Sequence, residues 1–129
     1  MTNKGSATTA RYIVDAATTL VVGDFTVGLG SGWDTTSSVA ITDSTSKDQA
    51  FTVTVTSAGT GQTNPALLTF SFHNGSWANV PVYICKMEGG TGTITNLTER
   101  ATTGALAILF LGTPVSGDTY IISCIGMGT

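Results

Sequence analysis

The sequence predicts an all-β fold: a single β-sandwich or jelly-roll-like domain of about seven to nine short antiparallel strands behind an N-terminal arm. Three observations carry that reading. Threonine occurs 25 times, serine 11 times and glycine 16 times among 129 residues. Threonine is β-branched and suits a pleated, half-buried surface, whereas the helix formers Glu, Lys and Gln are scarce. The segment Phe51-Thr52-Val53-Thr54-Val55-Thr56 alternates strictly between an apolar and a threonine face, which is the period of a strand with one side packed and the other wet or polar-paired. Turn signals then recur at about 8–12-residue spacing, as in sandwiches and barrels. With 41% hydrophobic residues and a net charge of −3, the chain is not of disordered composition. It is long enough to bury roughly two thirds of its unfolded surface.

The elements follow in order. Residues 1–11 are small and polar and read as the arm; residues 12–129 read as the sandwich domain. Short apolar stretches come next, Tyr12-Ile13-Val14, Leu20-Val21-Val22 and Phe25-Thr26-Val27. Gly28 to Asp34 is a glycine-rich loop bearing Trp33, and Ser38 to Ile41 is a short strand. After Phe51–Thr56, a turn-rich connection runs from Ser57 to Asn64 and Pro65 marks its end. Leu67 to Phe72 is a strand with Leu68, Phe70 and Phe72 on one face and Thr69 and Ser71 on the other. Asn74-Gly75 is the strongest short turn signal. Val80 to Cys85 contains Pro81, which lacks a donor, so this strand starts there or lies at an edge. Gly89-Gly90-Thr91-Gly92 reads as a turn, followed by a weaker strand at Thr93 to Leu97. Ala105 to Leu111 is apolar on both faces and is expected to be central or covered by a neighbouring subunit. Pro114 and Ser116-Gly117-Asp118 turn into the last strand, Tyr120 to Ile125. No helical periodicity, internal repeat or linker divides the chain.

Composition also removes functions. Five Lys and Arg cannot supply the phosphate contacts of nucleic-acid binding. No apolar run is long enough to span a bilayer, and the start MTNKGSATTAR has no signal-peptide core. One histidine (His73) and two cysteines (Cys85, Cys124) do not make a zinc set, so neither metal nor cofactor is expected. Gly28-x-Gly30-x-Gly32 would need a following helix to hold a phosphate. A strand follows instead, so a glycine loop that lets Trp33 fold onto the sheet is the better account. His73 lies near Ser71 and Ser76, but no triad spacing or nucleophile elbow accompanies it. Asp15, Asp24, Asp34, Asp43 and Asp48 are scattered without calcium-loop spacing and read as turn initiators. A glycan hydrolase would need two carboxylates roughly 5–10 Å apart in a cleft; the chain offers Glu88, Glu99 and six Asp, mostly in turn contexts. No enzyme is expected. The sequons at Asn74 and Asn96 are what chance gives in so Thr-rich a chain.

Two questions stay open at this level. Cys85 and Cys124 both fall on strands; without a signal segment reduced thiols are the expectation, and a disulfide only if maturation is outside a cell. Alternation places most of Phe70, Phe72 and Tyr83 in the core. Trp33 and Trp77 are both in loops. Each either caps a small β core or stands exposed as a binding-loop residue.

From Gly30 onward a longer pattern emerges. Gly30-Ser31-Gly32-Trp33 is followed by Ser38-Val39-x-Ile41, Ser44-Thr45-Ser46-x-Asp48 and Phe51-Thr52-Val53-Thr54. Gly59-Thr60-Gly61, Asn64-Pro65-x-Leu67-x-Thr69-Phe70-x-Phe72, Trp77 and Pro81-Val82 come next, and Leu111-Gly112-Thr113-Pro114-Val115-x-Gly117-x-x-Tyr120 closes it. In this order, over residues 28–125, the chain resembles β-rich modules on the outside of tailed bacteriophages: C-terminal domains of tail fibres, and small head-decoration or head-fibre proteins. The resemblance implies a virion structural protein, trimeric, located on the virion surface after assembly in the host cytoplasm. Few residues precede the matching part, which favours a decoration protein bound to the major capsid protein through its arm, with Thr2, Asn3, Lys4 and Arg11 as capsid contacts. The alternative it implies is a tail-fibre tip that recognises a host-surface glycan or protein through the loops of Trp33 and Trp77. Neither nucleic acid nor membrane is an expected partner. Low charge and neutral threonine faces suit such a role, because sheet surfaces can meet without desolvating ions. Symmetric association would cover Ala105–Leu111, and the arm is a candidate for strand addition to a neighbouring sheet.

Overall fold

A computed structural model describes residues 25–41, 50–72 and 77–128. These form eight strands: β1 (Phe25–Leu29), β2 (Ser38–Ile41), β3 (Ala50–Thr56), β4 (Ala66–Phe72), β5 (Val82–Gly90), β6 (Leu97–Ala101), β7 (Ala105–Phe110) and β8 (Thr119–Met127). There is no helix among the described residues. All pairings are antiparallel, in two four-stranded sheets of order β1-β4-β7-β6 and β2-β3-β8-β5.

Alternation explains why the sheets face each other. In β3, Phe51, Val53 and Val55 are buried, while Thr52 and Thr54 lie half-buried on the far side. β4 does the same with Ala66, Leu68 and Phe70, and β7 with Leu106, Ile108 and Phe110. Tyr120 and Ile122 add the inner face of β8. Phe51 and Phe70 meet across the two sheets with ring centroids 4.5 Å apart, and Phe25 packs on both. The threonine face is polar-paired where it meets β8, since the Thr52 and Ser123 hydroxyls share a hydrogen bond at 2.8 Å. At the β7–β8 corner, the Val115 amide donates to the Tyr120 hydroxyl at 3.2 Å, so the buried phenol has a backbone partner. β7 lies between β4 and β6, the central position expected of a strand apolar on both faces. β5 begins directly after Pro81 and forms one edge of its sheet, which satisfies both readings of that proline.

Three expectations are corrected. The turn expected at Gly89 comes later, because β5 continues to Gly90 past a bulge between Met87 and Gly89. Gly90 has φ 105°, and a side chain there would run into the Thr119 backbone, so glycine lets the strand bend instead of stopping. The weak strand at Thr93–Leu97 is not formed; the strand starts at Leu97 and runs to Ala101. Ile94 is buried as a loop residue, and pairing with β7 outweighs the poor strand propensity of Glu99. Finally, the thiols are not free. Cys85 and Cys124 are register partners on adjacent strands and form a disulfide. Directly opposed residues on one face of an antiparallel pair bring their Cβ atoms close enough to bridge. The pairing of β5 with β8 was the missing information.

The expected stretches at Tyr12–Val14 and Leu20–Val22 and the Asn74-Gly75 turn lie outside the described residues. So do His73, Asp15, Asp24, Asp43, Asp48 and the arm residues Thr2, Asn3, Lys4 and Arg11.

Candidate functional site

The loop after β1 shows why Trp33 turns inward. Gly32 has φ 90°, and a Cβ there would collide with the Pro65 carbonyl. The tight bend swings the indole onto the end of the core, edge-on to Phe110 (5.1 Å) and Tyr120 (5.9 Å). Its Nε1 donates to the Leu67 carbonyl at 3.0 Å. With its polar atom satisfied and 7% of its surface exposed, Trp33 caps the core. The exposed binding-loop reading of Trp33 is thereby corrected. The glycine string itself is pinned to β4 by Gly30 N to Leu67 O (2.7 Å) and Leu67 N to Ser31 O (2.8 Å), and strand β2 follows it.

Beside it, Asp34 is a turn initiator and something more. Its Oδ1 accepts from the Thr36 amide (2.9 Å) and the Thr36 hydroxyl (2.7 Å). Its Oδ2 accepts from the amides of Thr60 (3.1 Å) and Gly61 (2.8 Å), which ties two loops together. Hydrogen bonds from Thr36, backbone first and then hydroxyl, and from Gly61 hold its pKa at about 2, below the usual 3.8, against a smaller opposing effect of burial. A lowered carboxylate pKa contributes stability that is fully present above the unfolded value and is lost as pH falls through the folded one. The Asp34 contribution is therefore expected to persist at pH 4 and to vanish as pH approaches 2. Asp34→Asn should lower the melting temperature at pH 7 and flatten the acid limb between pH 4 and pH 2. Thermal unfolding followed at both pH values checks this; an acid limb as steep in the variant as in the parent would contradict it.

Trp77 has a different environment. Its amide donates to the Thr103 carbonyl at 2.8 Å, and its ring stands perpendicular to Tyr83 at 6.5 Å. Tyr83 stacks in turn on Phe72 at 5.8 Å. Trp77 is half-buried, and among the described residues its buried indole Nε1 has no hydrogen-bond partner. Trp33 packs on Phe110 and Tyr120, Trp77 on Tyr83, so the two indoles rest on different parts of the core.

The feature that sequence reasoning missed lies on the outer face of β5 and β8. Val82 is 61% exposed and Ile84 59%; their register partners on β8 are Met127, 48% exposed, and Ile125. Val80, just before the strand, is 60% exposed. The result is an apolar strip at one end of the sheet. Further along β5 the strip ends at Lys86 and Glu88, whose Nζ and Oε1 lie 3.1 Å apart. These two are the charged residues of the four strands in this sheet. Beyond them, the outward side chains of β3 and β8 include Thr52, Thr54 and Ser123. On the edge of β5, the Cys85 amide donates to Glu99 Oε1 of β6 at 2.8 Å. A signal existed: Val80, Val82 and Ile84 occupy one phase of the alternation, Tyr83 and Cys85 the other. From Val82 to Cys85, β5 is thus apolar on both faces, and Val82 and Ile84 stand on the outer face of its sheet, where no described strand packs.

Chemically this surface can exclude water against another apolar surface and do little else. Among the described residues, no three His, Cys, Asp or Glu side chains gather as a metal site. In comparisons with known proteins, no family model, no curated protein and no solved structure matches this chain.

Proposed function

We propose that this chain is a structural protein of a tailed-bacteriophage virion: a trimeric head-decoration protein, without enzymatic activity, that binds the outside of the capsid lattice. The observation that carries this reading is the exposed apolar strip of Val80, Val82, Ile84 and Met127 on a sandwich of otherwise low charge. Monomeric soluble proteins rarely leave such contiguous apolar surface open, and its usual use is association. The Cys85–Cys124 disulfide agrees with final residence in an oxidising setting, virion surfaces included. The resemblance of residues 28–125 to phage surface modules supplies the kind of particle. A tail-fibre tip reading is left with Trp77 of its two loop aromatics, since Trp33 belongs to the core.

In this reading the arm, with Thr2, Asn3, Lys4 and Arg11, contacts the major capsid protein, and the sandwich makes the contacts between copies. The test is co-sedimentation of the purified chain with heads from which it has been stripped. The intact chain is expected to pellet with heads, and a variant lacking residues 1–11 to stay in the supernatant. Equal binding by the two would remove the arm from the proposal, and binding to isolated tails alone would overturn the head assignment.

A further inference from the structure

We infer that Cys85 is the exchange sulfur of the Cys85–Cys124 bridge and Cys124 its shielded partner, so that small thiols and disulfides open and close the bridge at the edge of β5 while the sandwich stays folded. The inference goes beyond the virion reading and does not rest on it. Strand order makes the two sulfurs unequal. Cys124 lies on β8, inside its sheet, between its register partners Phe51 on β3 and Cys85 on β5. It is 5% exposed, and Phe51 3%. Cys85 is half-buried on the edge strand, and no described strand of its sheet lies beyond it. A thiolate approaches a disulfide sulfur from the side opposite the sulfur that leaves, and access decides which one it takes. For Cys85 that side is the flank of the sheet; for Cys124 it is β3, where Phe51 stands on the same inner face. Glu99 Oε1 also reaches the flank, where it accepts from the Cys85 amide at 2.8 Å, so an uncharged reagent is the suitable probe.

With the bridge open, β5 keeps its register. It pairs with β8 from Val82–Met127 to Gly90–Tyr120, and Tyr83, 6% exposed, anchors it to Phe51 and Phe72. Cys124 therefore still faces Cys85. In the opening direction, the thiolate of 2-mercaptoethanol bonds Cys85 Sγ as the bridge breaks. The electron pair leaves on Cys124 Sγ, which takes a proton from water. A second thiolate attacks the hydroxyethyl sulfur of the mixed disulfide and releases Cys85 as a thiolate, which is protonated in turn. The bridge has then gained two electrons, and two molecules of reagent have become one hydroxyethyl disulfide. Closure is the reverse: hydroxyethyl disulfide first caps Cys85, and Cys124, held opposite, expels the hydroxyethyl thiolate. Because Cys124 is already in place, the capped form does not accumulate in the parent.

Single serine variants of the full chain test this with hydroxyethyl disulfide. Native Cys124→Ser should be capped at Cys85 at least about tenfold faster than Cys85→Ser is at Cys124, since a buried thiol reacts only after a local opening. In urea beyond unfolding, the two rates should converge. A second arm needs no variant. The parent, reduced by 2-mercaptoethanol well below its melting transition, should keep the circular dichroism of the sheets. Brief iodoacetamide treatment and peptide mapping should then find Cys85 labelled before Cys124. Equal native rates at the two cysteines, or Cys124 labelled first, would overturn the inference. So would loss of the sheet signal on reduction, because exchange would then require unfolding. None of these measurements involves a particle, so failure of the virion reading would leave their outcomes unchanged.

Discussion

Replacing Trp33 by alanine is expected to destabilise the domain by about 3–5 kcal/mol, the range for removing a large aromatic from a core. The ring fills the end of the sandwich against Phe110 and Tyr120, both fully buried, and its Nε1 satisfies the Leu67 carbonyl. Truncation leaves a cavity where the β1–β2 loop meets β4, and it frees the backbone that the indole holds. Against a typical total of about 5–15 kcal/mol, such a loss leaves a small domain marginal at best. Trp33→Phe should recover most of the packing while losing the hydrogen bond, a deficit of about 1 kcal/mol or somewhat more. Urea unfolding of the three proteins measures both numbers. A Trp33→Ala variant as stable as the parent would put the ring outside the core and return it to the list of surface aromatics.

The second large effect belongs to the disulfide. Replacing both Cys85 and Cys124 by alanine is expected to cost about 4 kcal/mol, the loop-closure value for a sequence separation of 39 residues. The link matters beyond its energy, because it fastens β5, an edge strand, to β8, which lies inside the sheet. The apolar strip is carried by these same two strands, so loosening one disorders the surface proposed for assembly. Reducing agent should lower the unfolding midpoint of the parent and leave that of the double variant where it is. Two thiols titrating in the untreated native protein, with no response to reductant, would contradict the bridge.

These two cases also mark how far the residues alone could be read. Strands whose apolar residues keep strict period, such as Phe51 to Thr56 and Leu67 to Phe72, were legible to within a residue, because one buried face imposes the alternation. β6 was not. Its Glu99 and Arg100 hide the strand, which exists because β7 needs a partner and because Glu99 reaches across to the Cys85 amide. Long-range pairing of this kind leaves no local trace. The disulfide failed to show for the same reason: both cysteines sat on expected strands, yet nothing local said that β5 and β8 are neighbours. Trp33 was readable as a core cap from its glycine loop, whereas the Asp34 bonds to Thr60 and Gly61 depend on a loop 26 residues away. The strip on β5 was half legible. Its double-sided apolar pattern is in the sequence, but whether the outer side is covered depends on which layer packs on that sheet, and no local pattern shows that.

The claim at the centre of the proposed function is location on the outside of a virus head, and immunogold labelling of source virions addresses it most directly. Antibody to this chain is expected to place gold over the surface of the heads, spread as a repeating lattice component would be. Gold confined to tail tips, or particles that bind none, would contradict a decoration role.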